Sequence, residues 1–160
     1  MAAGATYTPI ATTTLGSAAA SYTFSSINGS YTDLVLVIQG TWSGVDYEAV
    51  ALQFNGDTGS NYSRTLLSGN GSTASSSREA TSNWGALGID QSNSIFHIMN
   101  YSNVTTYKTV ISRANSASYQ TRTTVGLWRS TSAITSVLAK MASANFSAGT
   151  TFTLYGIAAA

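Results

Sequence analysis

The residues equipped for chemistry are few and far apart. Asp57-Thr58-Gly59 reproduces the tripeptide of aspartic proteases, in which two copies share a proton between their carboxylates. Those enzymes lead into the aspartate with apolar residues. Here Gly56 precedes it, and Asn55-Gly56-Asp57-Thr58-Gly59 has the composition of a tight hairpin turn with unusual backbone angles, which is the preferred reading. The Asn55-Gly56-Asp57 turn also offers oxygens to calcium, although its spacing departs from the EF-hand loop. His97 is the single histidine, and no GxSxG-type elbow accompanies it to build a nucleophilic triad. Set between Phe96 and Ile98 in a strand pattern, it reads as a hydrogen-bonded structural or intersubunit histidine. A histidine zinc site would require a symmetric oligomer to gather several copies of His97 on an axis.

The carboxylates Asp33, Asp46, Glu48, Asp57, Glu79 and Asp90 are scattered along the chain. Asp46 and Glu48 can share one side of a strand, but nothing marks a glycosidase pair flanking a cleft. Trp42, Trp84 and Trp128, with nine tyrosines, have ring faces suited to stacking on sugars. They equally suit the core and interface anchors of a sandwich, and that reading is preferred. Asn61-Tyr62-Ser63 and Asn103-Val104-Thr105 match the glycosylation triplet, as composition alone produces in a chain so rich in Ser and Thr. No catalytic, cofactor-binding or metal-binding residue is assigned, and no enzymatic activity is expected.

The elements that would position these groups are short strands. The 160 residues suit one domain spanning 1–160, large enough to bury about two thirds of its unfolded surface without the disulfides that the absence of cysteine rules out. Charged residues make up 8% of the chain, against roughly a quarter in ordinary proteins, and seven basic side chains nearly cancel six acidic ones. A nucleic-acid partner would need a basic stripe, and none is present. No stretch approaches the roughly 20 apolar residues that span a bilayer. The opening MAAGATYTPIATTTLGSAAA has neither the basic nor the continuous apolar region of a secretory leader. A surface so poor in charge is weakly protected against self-association, and makes sense if partners or further copies cover it.

Taken in order, Tyr7–Leu15 is a Thr-rich first strand or arm, and residues 1–21 form a candidate N-terminal arm. Tyr22, Phe24 and Ile27 mark a second strand. Asp33–Trp42, DLVLVIQGTW, is nearly continuous in apolar residues and is expected to be central and covered on both faces. Val50, Leu52 and Phe54 line one face of the next strand, and Tyr62–Leu67 returns from the turn. Ser68–Asn83 has no periodicity and reads as a surface excursion. Further strands follow near Trp84–Ile89, Ser94–Tyr101, Tyr107–Ser112, Tyr119–Arg129, Ile134–Met141 and Thr151–Ile157, with Val125 and Leu127 on one side of their strand. About nine or ten short strands without a credible helix predict an all-β, jelly-roll-like antiparallel sandwich.

Several phrases together resemble a module of tailed-bacteriophage virion proteins, especially those of aquatic phages. They are YTPIATTTLGS, FSSINGSYTDLVLVIQG, LQFNGDTGSNYS with LSGNGS, and VGLWRSTSAI followed by NFSAGTTFTLYGI. The resemblance spans roughly Tyr7–Ile157 and implies a β-sandwich of the virion without catalytic residues. A lone sandwich with no shaft resembles the capsid decoration, or cement, proteins that trimerise on the head and bridge capsomers. It implies a homotrimer at the capsid surface with the major capsid protein as partner. The alternative is a tail-fibre, receptor-binding or carbohydrate-binding module, with a host surface glycan as ligand and the polar Gly69–Ser82 stretch as its contact surface.

Overall fold

In the computed structural model, which describes residues 6–158, twelve strands build two antiparallel sheets. They are β1 (Tyr7–Thr14), β2 (Ser21–Phe24), β3 (Asp33–Gly40), β4 (Tyr47–Phe54), β5 (Tyr62–Gly69), β6 (Ala74–Glu79), β7 (Asn83–Gly88), β8 (Ser92–Met99), β9 (Lys108–Ser116), β10 (Gln120–Trp128), β11 (Val137–Met141) and β12 (Thr151–Ile157). The larger sheet has eight strands in the order β1-β12-β3-β8-β9-β10-β5-β6, and the smaller has four in the order β2-β11-β4-β7. The chain passes repeatedly from one sheet to the other, and the expected β-sandwich is the fold, with twelve strands rather than nine or ten.

The strand with no counterpart among the expected segments is β6. Its sequence, ASSSRE, has no alternation because both of its faces are largely exposed; pairing to β5 alone makes it a strand. The Ser68–Asn83 stretch is thus an edge hairpin, turned by Asn70, whose Oδ1 accepts from the Ser72 and Thr73 amides at 3.1 and 2.8 Å. The expected hairpin at Asn55-Gly56 needs correction. Both residues adopt left-handed angles (φ 52° and 70°), as their types predict, but β4 and β5 belong to different sheets and do not pair. The turn is a corner between layers. Asn55 pins it across the fold, accepting from the Thr135 amide at 2.8 Å and donating to the Ala133 carbonyl at 2.7 Å.

The N-terminal arm expected over residues 1–21 begins in the structure as β1, paired along its length with β12 of the same chain. Residues 1–5 of that arm lie outside the described residues. Strand β3 is central, between β12 and β8, and its Leu34, Leu36 and Ile38 are fully buried between the sheets. The expected cover on both faces holds in part: on the outer face Val35 is buried, Val37 half-buried and Gln39 exposed.

The core between the sheets is dominated by rings. Phe54, Tyr62, Trp84 and Trp128 lie 5.4–6.4 Å apart, centroid to centroid. Gly126 makes room for them, because any Cβ there would fall inside the Trp84 indole. Strand β7 is an edge of the small sheet, and its outer backbone groups lie on the large sheet rather than in water. Serines there satisfy them: Ser94 Oγ accepts from the Ala86 amide at 3.0 Å and donates to its carbonyl at 2.6 Å, while Ser92 Oγ accepts from the Gly88 amide at 2.8 Å. Ser112 Oγ and Arg64 Nη1 donate to the Trp84 and Asn83 carbonyls. Hydroxyls and a guanidinium are inside because a strand edge must be paired when it is buried.

Candidate functional site

The groups singled out for chemistry are placed in separate, satisfied settings. Asp57 Oδ1 accepts from the Gly59 amide at 2.8 Å, and Oδ2 from Asn61 Nδ2 at 2.8 Å and Trp128 Nε1 at 2.7 Å. Those donors, the Trp128 indole first, hold its carboxyl below the ordinary aspartate range. A carboxylate surrounded by N–H groups anchors the turn and has little left to offer calcium or a second acid. His97 Nε2 lies 2.9 Å from Asp33 Oδ2, and Asp33 Oδ1 accepts from the Asn100 amide at 2.7 Å. No serine nucleophile completes that pair.

Glu79 binds Arg64 at 2.8 Å, Glu48 accepts from Ser143 Oγ at 2.9 Å, and Asp90 accepts from Ser118 Oγ. Asp46 precedes β4 and does not share its face with Glu48. Among the described residues no three His, Asp or Glu side chains converge as a metal cage would require. Trp84 and Trp128 are core residues and Trp42 packs against the core, so the indole faces are not platforms for sugars.

What the strands do bring together is a surface. The outward residues of the eight-stranded sheet form cross-strand rows, and the middle row runs Thr65, Val125, Ile111, His97, Val35 and Tyr155. The next runs Leu67, Thr123, Arg113, Ile95, Val37 and Thr153. Leu67, Val125 and Ile111 are 60%, 51% and 42% exposed, far more than isolated apolar residues inside a strand need to be. Val125 and Leu127 share one side of β10, as the alternation predicts, and that side is the outer one. The charged groups on this face are Arg78, Arg113, the Asp33–His97 pair and, just past β10, Arg129, whose Nη2 donates to the outward Ser63 Oγ at 2.8 Å. The face is otherwise flat, aliphatic and threonine-rich.

Sequence reasoning missed three buried cations on the inner face, Arg64, Lys108 and Arg122. Lys108 Nζ donates to the Thr106 and Thr131 carbonyls at 2.8 and 3.2 Å, and desolvation lowers its pKa. Arg122 lies 5.1 Å from the centre of the Tyr47 ring. The signal available was phase: Arg122 stands at even spacing from Trp128 and Gly126, the residues that pack inward.

A concave region lies at one end of the sheet, beside the Asn70 and Ser118 turns. Its grooves, each about 290 Å³, are lined by Gly69, Asn70 and Gln120 in common, with Tyr119 on one wall. No protein-family model matches the chain, and no curated protein matches it significantly.

Proposed function

We propose that this chain is a non-enzymatic structural protein of a tailed-phage virion, a decoration or cement protein that binds the assembled head through the outer face of its eight-stranded sheet. The observation carrying the binding role is that face. It presents Leu67, Val125 and Ile111 openly, and β3 adds the half-buried Val37 to it. Eight strands of about eight residues span roughly 1,000 Å², enough for one side of a standard protein interface. The virion assignment is supported by the phrases that resemble phage modules, which here occupy β1, β3, the β4–β5 corner, β10 and β12.

A protein that binds the assembled lattice better than its free subunits stabilises the shell by mass action. A homotrimer presenting three such faces adds avidity to the major capsid protein. Quantitative mass spectrometry of purified virions tests this directly. A copy number comparable with that of the major capsid protein supports decoration. A handful of copies overturns it and points to the tail.

The second reading, a tail module that binds a host surface glycan, is favoured by the polar grooves beside Asn70. They combine amide side chains with the 37% exposed Tyr119 ring, a composition suited to a sugar. Glycan-array binding lost on Tyr119→Ala would support it.

A further inference from the structure

An asparagine followed by glycine can deamidate itself, because glycine has no side chain to shield its nitrogen from the asparagine amide. The chain has three such pairs, Asn28-Gly29, Asn55-Gly56 and Asn70-Gly71, all exposed. Ring closure needs the side-chain Cγ over the following peptide, and that peptide must be free to turn. Asn55 fails the first condition. Its amide reaches across the fold on both atoms, Oδ1 accepting from the Thr135 and Ser136 amides and Nδ2 donating to the Ala133 carbonyl. Asn28 fails the second, because its carbonyl, part of the peptide that must turn, accepts from the buried Tyr101 hydroxyl. Asn70 meets both. Its Oδ1 accepts from the two residues after the glycine, the Ser72 and Thr73 amides at 3.1 and 2.8 Å and the Thr73 hydroxyl at 3.1 Å. Among the described residues, neither the Asn70 carbonyl nor the Gly71 amide has a hydrogen-bond partner.

We propose that Asn70 is a self-modifying site, losing its side-chain amide to attack by the Gly71 nitrogen with water as the only co-reactant. The nitrogen gives up its proton and its electron pair forms a bond to Asn70 Cγ. Charge passes to Oδ1, where the Ser72 and Thr73 donors stabilise it as an oxyanion hole does. The Cγ–Nδ2 bond breaks and the amide nitrogen leaves, protonated, as ammonia. Water then opens the five-membered imide. Opening at Cγ gives aspartate, whose carboxylate accepts from the same three donors. Opening at the backbone carbonyl gives isoaspartate, which adds a carbon to the main chain between β5 and β6. Strand β6 pairs with β5 alone, so this second product loosens the sheet edge. Both products place a negative charge on the grooves that Asn70 lines.

Incubating the folded chain in mildly alkaline buffer made with heavy-oxygen water tests this without any variant, and independently of either functional reading. Tandem mass spectrometry follows each site by the exchange of an amino group for a labelled hydroxyl. Asn70 is expected to convert about tenfold faster than Asn28 or Asn55, since a hydrogen bond that must break first slows closure by about that factor. In urea, where nothing is positioned, the three sites should converge. The proposal is overturned if Asn70 of the folded chain converts no faster than the other two. A lead that persists undiminished in urea belongs to the local sequence rather than the fold, and overturns it as well.

Discussion

The two faces of the eight-stranded sheet distribute polarity in opposite senses, and β10 shows it within one strand. Inward it carries Arg122, Thr124, Gly126 and Trp128; outward it carries Thr123, Val125 and Leu127. The inner set is polar where β7 lays its backbone edge on the sheet and aromatic where the two layers close. The outer set is aliphatic where none of the described residues covers Val125. Burial therefore follows what each position must satisfy, and side-chain hydrophobicity alone misassigns Arg122, Thr124 and Val125. An interior that accepts serines and arginines for local pairing, beside an exterior that retains valine and isoleucine, is the arrangement expected if the exterior is covered by another molecule.

Substitutions on the two faces sharpen this contrast. The largest loss is expected at Trp128→Ala, which removes a ring from the aromatic cluster and the Asp57 partner together. It should cost about 3–5 kcal/mol in urea unfolding. Ser94→Ala should cost about 2–3 kcal/mol, although it only deletes a hydroxyl, because it strands the Ala86 amide and carbonyl. Were Ser94→Ala neutral, the account of buried serines as pairing groups for a strand edge would fail.

A smaller effect, about 1–2 kcal/mol, is expected at Asp57→Ala, which leaves the Trp128 N–H unpaired. This group also sets a pH dependence. Its folded pKa is depressed, so its contribution is complete above the ordinary aspartate range near about pH 4 and is lost as pH falls through the lower folded value. Asp57→Asn should show a shallower acid loss than the unaltered chain in urea midpoints measured across that range. Least disturbing to the fold is the outer-face pair Ile111→Glu with Val125→Lys. These are cross-strand neighbours that can form an ion pair, so stability should stay within about 0.5 kcal/mol. Attachment to capsids, measured by co-sedimentation, should be abolished. Retained attachment would remove this face from the interface.

The legible part of the fold is the part where one face is buried and the other is not. Strand β12 announced itself by alternation, as did the Val50-Leu52-Phe54 face of β4. Strand β6 could not, since pairing without burial leaves no trace in ASSSRE. The Asn55-Gly56 turn was readable as a turn but not as a corner between sheets, because the local backbone needs the same residues in both. The buried arginines were hidden because a charge inside a sandwich depends on where a distant strand edge comes to rest. The outer surface was legible in one respect: DLVLVIQG is apolar on both faces, and its outward valines are the buried Val35 and the half-buried Val37.

The pairing of β1 with β12 has a consequence in time. Thr8 lies opposite Gly156, so β1 leaves the ribosome ten strands before its hydrogen-bonding neighbour. Until then β1 has an unpaired edge. Pairings this distant in sequence also slow folding, because a long loop must close before any contact rewards it. Newly made chains of this protein should pass through an interval in which they can trade β1 with one another.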